Sequence, residues 1–154
     1  MDPKDDTLDK TVAEIQEAIL NEARSIYSER VIDHFLHPRN LGRMENPDGF
    51  AKVTGPCGDT MQVFLKVRGG ELSEARFMTD GCASTVACGS ILTELVKKKT
   101  VAEAIEVSAA DVIEASGGLP GSSIHCAVLA TETLQEAIGN FFLSHKGKDR
   151  KISS

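Results

Sequence analysis

The run from Met61 to Thr79 constrains the fold more than any other stretch of this chain. In its first half Met61, Val63, Leu65 and Val67 alternate with Gln62, Lys66 and Arg68. A period of two is that of a half-buried strand, with one face in a core and the other in water. Gly69-Gly70 follows, a hairpin signal, because glycine accepts the left-handed backbone a tight reversal needs. Leu72 to Thr79 is the return strand, with Ala75 and Phe77 on one face. A two-residue turn pairs Asp59 with Asp80 and sets Cys57 opposite Cys82. Matching the apolar faces, with Val63 beside Phe77, instead favours a three-residue loop and a shift of one. In either register Cys57 and Cys82 leave the same end of the hairpin. Opposed residues have Cα atoms about 4.5–5.5 Å apart, so two thiols there can share a metal.

The period around this hairpin is helical. Leu8, Val12, Ile15, Ile19, Ala23 and Ile26 step by threes and fours, an amphipathic helix. Its apolar stripe is expected to pack on its own domain, or on a neighbouring subunit as in a homodimer. A second phase through Tyr27, Val31 and Phe35 stops at His37-Pro38, because the residue before proline is pushed out of the helical region. His34 and His37 read as polar residues of a last turn, where a cation is favoured. After a loop, "GFAKVTG" is a third, short strand. Beyond Cys82, the stripe Cys88, Ile91, Leu92 and Leu95 marks a helix with Cys82 at its start. Cys88, six residues on, lies on a different face and reads as core. Thr100 with Glu103 makes a capping box for a short helix, and Ser108 opens another that ends at Gly117-Gly118. A last helix runs through Ile124, Ala127, Leu134, Ile138 and Phe141. Residues 1–7 read as a disordered acidic tail and 146–154 as a basic flexible one. Residues 8–145 make one domain.

Composition narrows the function. A chain of 154 residues, 41% hydrophobic, can bury a real core. A net charge of −6 argues against nucleic acid or an anionic membrane as partner. No apolar run is long enough to span a bilayer. The opening "MDPKDDTLDK" lacks an apolar signal core, so the expected location is the cytoplasm. In a reducing compartment Cys57, Cys82, Cys88 and Cys126 are ligands, nucleophiles or core residues before they are disulfides. None forms a C-x-x-C pair.

The remaining signal is "GSSIHCAVLA", residues 121–130. Ser123 as N-cap puts His125 and Cys126 in the first helical turn, where unpaired N–H groups lower a thiol's pKa. A thiolate beside an imidazole is a metal-ligand pair or an activated nucleophile. Two thiols at a hairpin's end, a third with a histidine at a helix start, and Asp59 in the stiff loop "PCGD" suit Zn²⁺ or an iron–sulfur cluster.

Four segments carry a resemblance: "YSERVIDHFLHPRNLG" (27–42), "GPCGDTMQVFLKV" (55–67), "ARFMTDGCASTVACGS" (75–90) and "SSIHCAVLATETLQEAI" (122–138). Together, and in this order, they resemble the iron–sulfur cluster assembly scaffold family, IscU and the N-terminal domain of NifU. The resemblance implies an α+β fold of the SufE/NifU type, a three-stranded antiparallel sheet covered by helices. It implies a binding site of Cys57, Asp59, Cys82, His125 and Cys126. Cys126 is the implied acceptor of persulfide sulfur, and Asp59 keeps the cluster labile. The implied cargo is a [2Fe–2S] cluster built from iron and sulfur, with zinc able to occupy the same site. The implied partners are a cysteine desulfurase, an iron donor, an electron donor and apo acceptor proteins. Such a chain is a carrier rather than an enzyme. Members served by a dedicated DnaK-type chaperone carry Leu-Pro-Pro-Val-Lys where this chain has Leu119-Pro120-Gly121-Ser122-Ser123, which puts chaperone handover by that route in doubt.

Other readings are weaker. A zinc-dependent sulfurtransferase of the SufU type is expected to carry an insertion between its second and third cysteines. Here only two short helices are expected between Cys82 and Cys126. A Cys–His hydrolase is disfavoured because adjacent residues on a helix are not expected to face each other.

Overall fold

The computed structural model describes the backbone of residues 3–153 and the side chains of residues 9–144. Three strands, β1 (Gly49–Thr54), β2 (Thr60–Arg68) and β3 (Glu71–Thr79), form one antiparallel sheet in the order β1-β2-β3. Both expected registers occur, but the expected three-residue loop does not: the turn keeps two residues and a bulge makes the shift. Beside the Gly69-Gly70 turn Arg68 pairs with Glu71 and Val67 with Leu72, as a two-residue reversal requires. The pairing then slips by one, so that Lys66 faces Glu74 and Val63 faces Phe77. Ser73 is the extra residue of this bulge. The slip puts Leu72, Ala75 and Phe77 on the core side, all fully buried. A bulge is the inexpensive way to satisfy turn chemistry and core patterning in one hairpin.

Helices α1 (Pro3–Ile26), α2 (Glu29–Leu36), α3 (Ala83–Val96), α4 (Val101–Ile105), α5 (Ala109–Ala115) and α6 (Ile124–Ser153) surround the sheet. α3 lies along β3, and α6 crosses β1 and β2. Their approach is close. A Cβ on Gly89 of α3 would stand 2.5 Å from the Phe77 ring, and one on Gly49 of β1 would stand 2.7 Å from the Ala137 carbonyl of α6. The capping boxes at Thr100 and Ser108 both form. After α5 the N–H of Gly118 returns to the Ile113 carbonyl at 3.0 Å, with Gly117 at φ 82°. Cys88 is buried with Ile91 and Leu92 of its stripe, and Leu95 is partly buried against them. The loop after α2 is more than a connection: the Phe77 N–H donates to Asn40 and the Gly42 N–H to Phe77, which covers the free edge of β3.

The N-terminal stripe does not pack on its own domain. Val12, Ile15, Ile19 and Ile26 are 45–60% exposed, and α1 touches chiefly α2. Ser28 separates the two helices by accepting from the Val31 N–H at 3.1 Å. Helical backbone begins at Pro3, inside the expected acidic tail, and continues to Ser153 through the expected basic one. Met1, Asp2 and Ser154, and the side chains of residues 1–8 and 145–154, lie outside the described residues. Among the described residues no helix is long and apolar enough to cross a membrane.

Candidate functional site

The site lies where β1, β2 and β3 end against the mouths of α3 and α6. Cys57 stands on the turn joining β1 to β2, closed by Gly55 N–H to Asp59 carbonyl at 2.8 Å and Gly58 N–H to Gly55 carbonyl at 3.0 Å. Gly58 takes φ 89°, a conformation side chains disfavour. Pro56 stiffens the turn from the other side. Cys57 is exposed at its tip. Asp59 follows at the base, where the chain re-enters the sheet.

Cys82 is the N-cap of α3, as expected. Burial raises its thiol, but the Ser84 and Thr85 hydroxyls outweigh that, with the N–H groups of Thr85 and Ser84 adding at the helix mouth. No full capping bond forms; the thiol nonetheless falls to about 7. Its sulfur is 3.4 Å from Ser84 Oγ and 3.6 Å from Thr85 Oγ1.

Cys126 behaves in the opposite way. Ser123 is not a helix N-cap: Gly121–Ser123 forms a 3-10 turn, and the Ser123 hydroxyl donates to Ser84 Oγ at 3.3 Å. The Cys126 side chain is 1% exposed. Burial pushes its thiol up, and the neighbouring Cys82 adds to this against hydrogen bonds from Thr85 and Ser84. The expectation of a lowered thiol at this helix start therefore fails, because desolvation exceeds the field of one helical turn. Cys88 is pushed further, to about 12, by burial and by the Cys126 and Cys82 thiols.

His125 and Cys126 do face each other. Cys126 Sγ lies 3.5 Å from His125 Nε2. The expectation that neighbours on a helix point apart treats side chains as radial spokes. In this first turn both reach toward Asp59.

Asp59, His125 and Cys126 each offer a donor atom within 4.8 Å of the others. Carboxylate, imidazole and thiolate together suit a borderline metal. Cys82 joins through Thr85, whose hydroxyl also lies 3.3 Å from Cys126 Sγ. Cys57 is on the same rim but outside the tight group. A cleft of about 440 Å³, lined by Pro56, Ile124, His125 and Val128 among others, opens beside the imidazole. His34 belongs elsewhere: its Nδ1 is 2.7 Å from Ser90 Oγ, in the middle of α3.

Sequence reasoning missed Thr85. It is fully buried and donates to Asp59 Oδ2 at 2.9 Å. Its spacing of three from a helix-capping cysteine was the available signal.

The family model for the NifU-like N-terminal domain matches residues 26–148. The chain is 42% identical over 128 residues to a protein of Archaeoglobus fulgidus named iron-sulfur cluster assembly scaffold protein IscU 1, covering 82% of this chain and 83% of that one. To the Escherichia coli K12 protein named iron-sulfur cluster assembly scaffold protein IscU it is 40% identical over 127 residues, covering 79% and 98%. Among solved structures, the N-terminal part of a NifU-like protein from Brucella abortus superposes with a TM-score of 0.61 at 20% identity, covering 77% of this chain and 95% of that one. A SufU from Fervidobacterium islandicum superposes at 0.60 and 21% identity, covering 74% and 97%. At these identities the structural likeness speaks for the fold.

Proposed function

Because the chain belongs to the NifU-like N-terminal domain family, we propose that it is a scaffold on which an iron–sulfur cluster is assembled and from which it is passed on. The observation that carries this reading is the gathering of Asp59, His125 and Cys126 donors within 4.8 Å at one end of the sheet. Cys82 sits one hydroxyl away and Cys57 on the adjoining turn. The cargo is a [2Fe–2S] cluster, held by Cys57, Cys82 and Cys126 with Asp59 or His125 as the last ligand. Zinc competes for the same donors.

Sulfur arrives from a cysteine desulfurase as persulfide. The outer sulfur bonds to Cys126 Sγ as the donor's S–S bond breaks, and the donor leaves as thiolate. Cys126 must first shed a proton it holds tightly, and His125 Nε2, 3.5 Å away, is placed to take it. Iron and electrons come from separate donors. Apo proteins then receive the cluster, so the chain is a carrier without turnover of its own. A ligand set with a carboxylate or imidazole among thiolates holds a cluster less firmly than four thiolates, which suits release. Residues 8–145 are the working unit, and the cytoplasm, where thiols stay reduced, is its place.

Anaerobic reconstitution with a cysteine desulfurase, cysteine and Fe²⁺ tests the reading. Visible absorption and Mössbauer spectra of a [2Fe–2S] centre are the expected result. Bound zinc with persulfide relay and no cluster would overturn it in favour of the sulfurtransferase.

A further inference from the structure

We propose that Thr85 is the positioning residue of this site, holding Asp59 in the ligand set through its hydroxyl. The inference deepens the scaffold reading and rests on it for the identity of the cargo. Its geometric basis stands apart from that reading.

Four threonines are fully or almost fully buried among the described residues: Thr85, Thr93, Thr131 and Thr133. The last three behave as buried threonines on helices ordinarily do. Each returns its proton to the carbonyl four residues back, Thr93 to Gly89 at 2.8 Å, Thr131 to Ala127 at 3.0 Å and Thr133 to Leu129 at 2.7 Å. Thr85 does not. It sits in the first turn of α3 and donates across the fold to Asp59 Oδ2. A hydroxyl has one proton to give and two lone pairs. While the thiols keep their own protons, that proton goes to the carboxylate, which only accepts, and the oxygen lies 3.3 Å from Cys126 Sγ and 3.6 Å from Cys82 Sγ.

The consequence for Asp59 is specific. With Oδ2 held by Thr85, Oδ1 is the oxygen left for a metal, so the carboxylate is pre-set as a one-oxygen ligand. Partners of this kind fix a ligand's orientation, and losing one typically costs about 10–100-fold in metal affinity. The chain also makes room for this residue. A Cβ on Gly81 would lie 2.7–2.8 Å from the Cβ, Cγ2 and Oγ1 of Thr85. Gly81 therefore serves by its lack of a side chain.

Binding of Co²⁺ alone to the metal-free full chain tests the proposal, read by the visible d–d and sulfur-to-cobalt bands. Thr85→Val keeps the shape and removes the hydroxyl; Thr85→Ser keeps the hydroxyl. The expected result is a 10–100-fold weaker affinity and altered d–d bands for the valine variant, with serine restoring both. Adding Thr85→Val to Asp59→Ala should then cost little more, since Thr85 acts through Asp59. Unchanged affinity and bands in Thr85→Val, failure of serine to rescue, or full multiplication of the two losses would each overturn it. Should the valine variant not fold, Thr85→Ala is read in its place. Cobalt binding needs neither desulfurase nor cluster. A protein that makes no cluster but passes this test refutes the scaffold alone, and one that makes a cluster but fails it refutes Thr85 alone.

Discussion

Cys82 and Cys126 show how far environment separates identical side chains. Both stand at the start of a helix, Cys82 as the N-cap of α3 and Cys126 in the first turn of α6, yet one thiol falls to about 7 and the other is raised. The difference is one of balance: at exposed Cys82 the hydrogen bonds of Ser84 and Thr85 outweigh burial, while at buried Cys126 burial outweighs them. Thiolate is the form that alkylates. A depressed thiol is therefore half reactive near pH 7 and saturates above it, rather than climbing through the ordinary range near about 8.5. Iodoacetamide labelling of metal-free protein, resolved by peptide mass spectrometry, should give Cys82 a midpoint near 7. Ser84→Ala should move that midpoint upward by removing a hydroxyl partner. Cys126 should label more slowly throughout the neutral range. Asp59 makes a second residue-scale prediction. If the carboxylate keeps the cluster labile, Asp59→Ala should slow transfer of [2Fe–2S] to a competing apo protein. Equal transfer rates, followed by circular dichroism in the visible, would refute that role.

At the scale of elements, the site is a by-product of how closely α3 and α6 press on the sheet. Gly89 lets α3 lie directly on the Phe77 ring, and Gly49 lets β1 slide under the Ala137 carbonyl. Gly89→Ala would put a methyl group 2.5 Å from a fully buried ring. Overpacking of this kind costs about 1–3 kcal/mol. Urea denaturation should show that loss with an unchanged slope. The shift of α3 should also lower metal affinity, because Cys82, Ser84 and Thr85 ride on its first turn. The β2–β3 bulge belongs to the same scale. Alternation predicted one register and the glycine pair another, and Ser73 reconciles them. That outcome was legible as a conflict in the sequence, and only the folded hairpin says where the extra residue is placed.

At the scale of the whole molecule, α1 stands apart. The family match begins at residue 26, where α1 ends, and its apolar stripe stays exposed. Removing residues 1–24 should leave the melting temperature within about 2–4 °C, the effect of roughly 1 kcal/mol in a domain of this size. Co²⁺ affinity should be unchanged. A larger loss would mean that α1 supports the domain after all. The helices, the strands, the caps at Thr100 and Ser108 and the family were all readable from the chain, because periodicity, capping and motif order are local. The burial of Cys126, the approach of its sulfur to His125 and the role of Thr85 were not. Each depends on which atoms from distant segments exclude water from one another, and that is decided only when α3, α6 and the end of the sheet close on a common point.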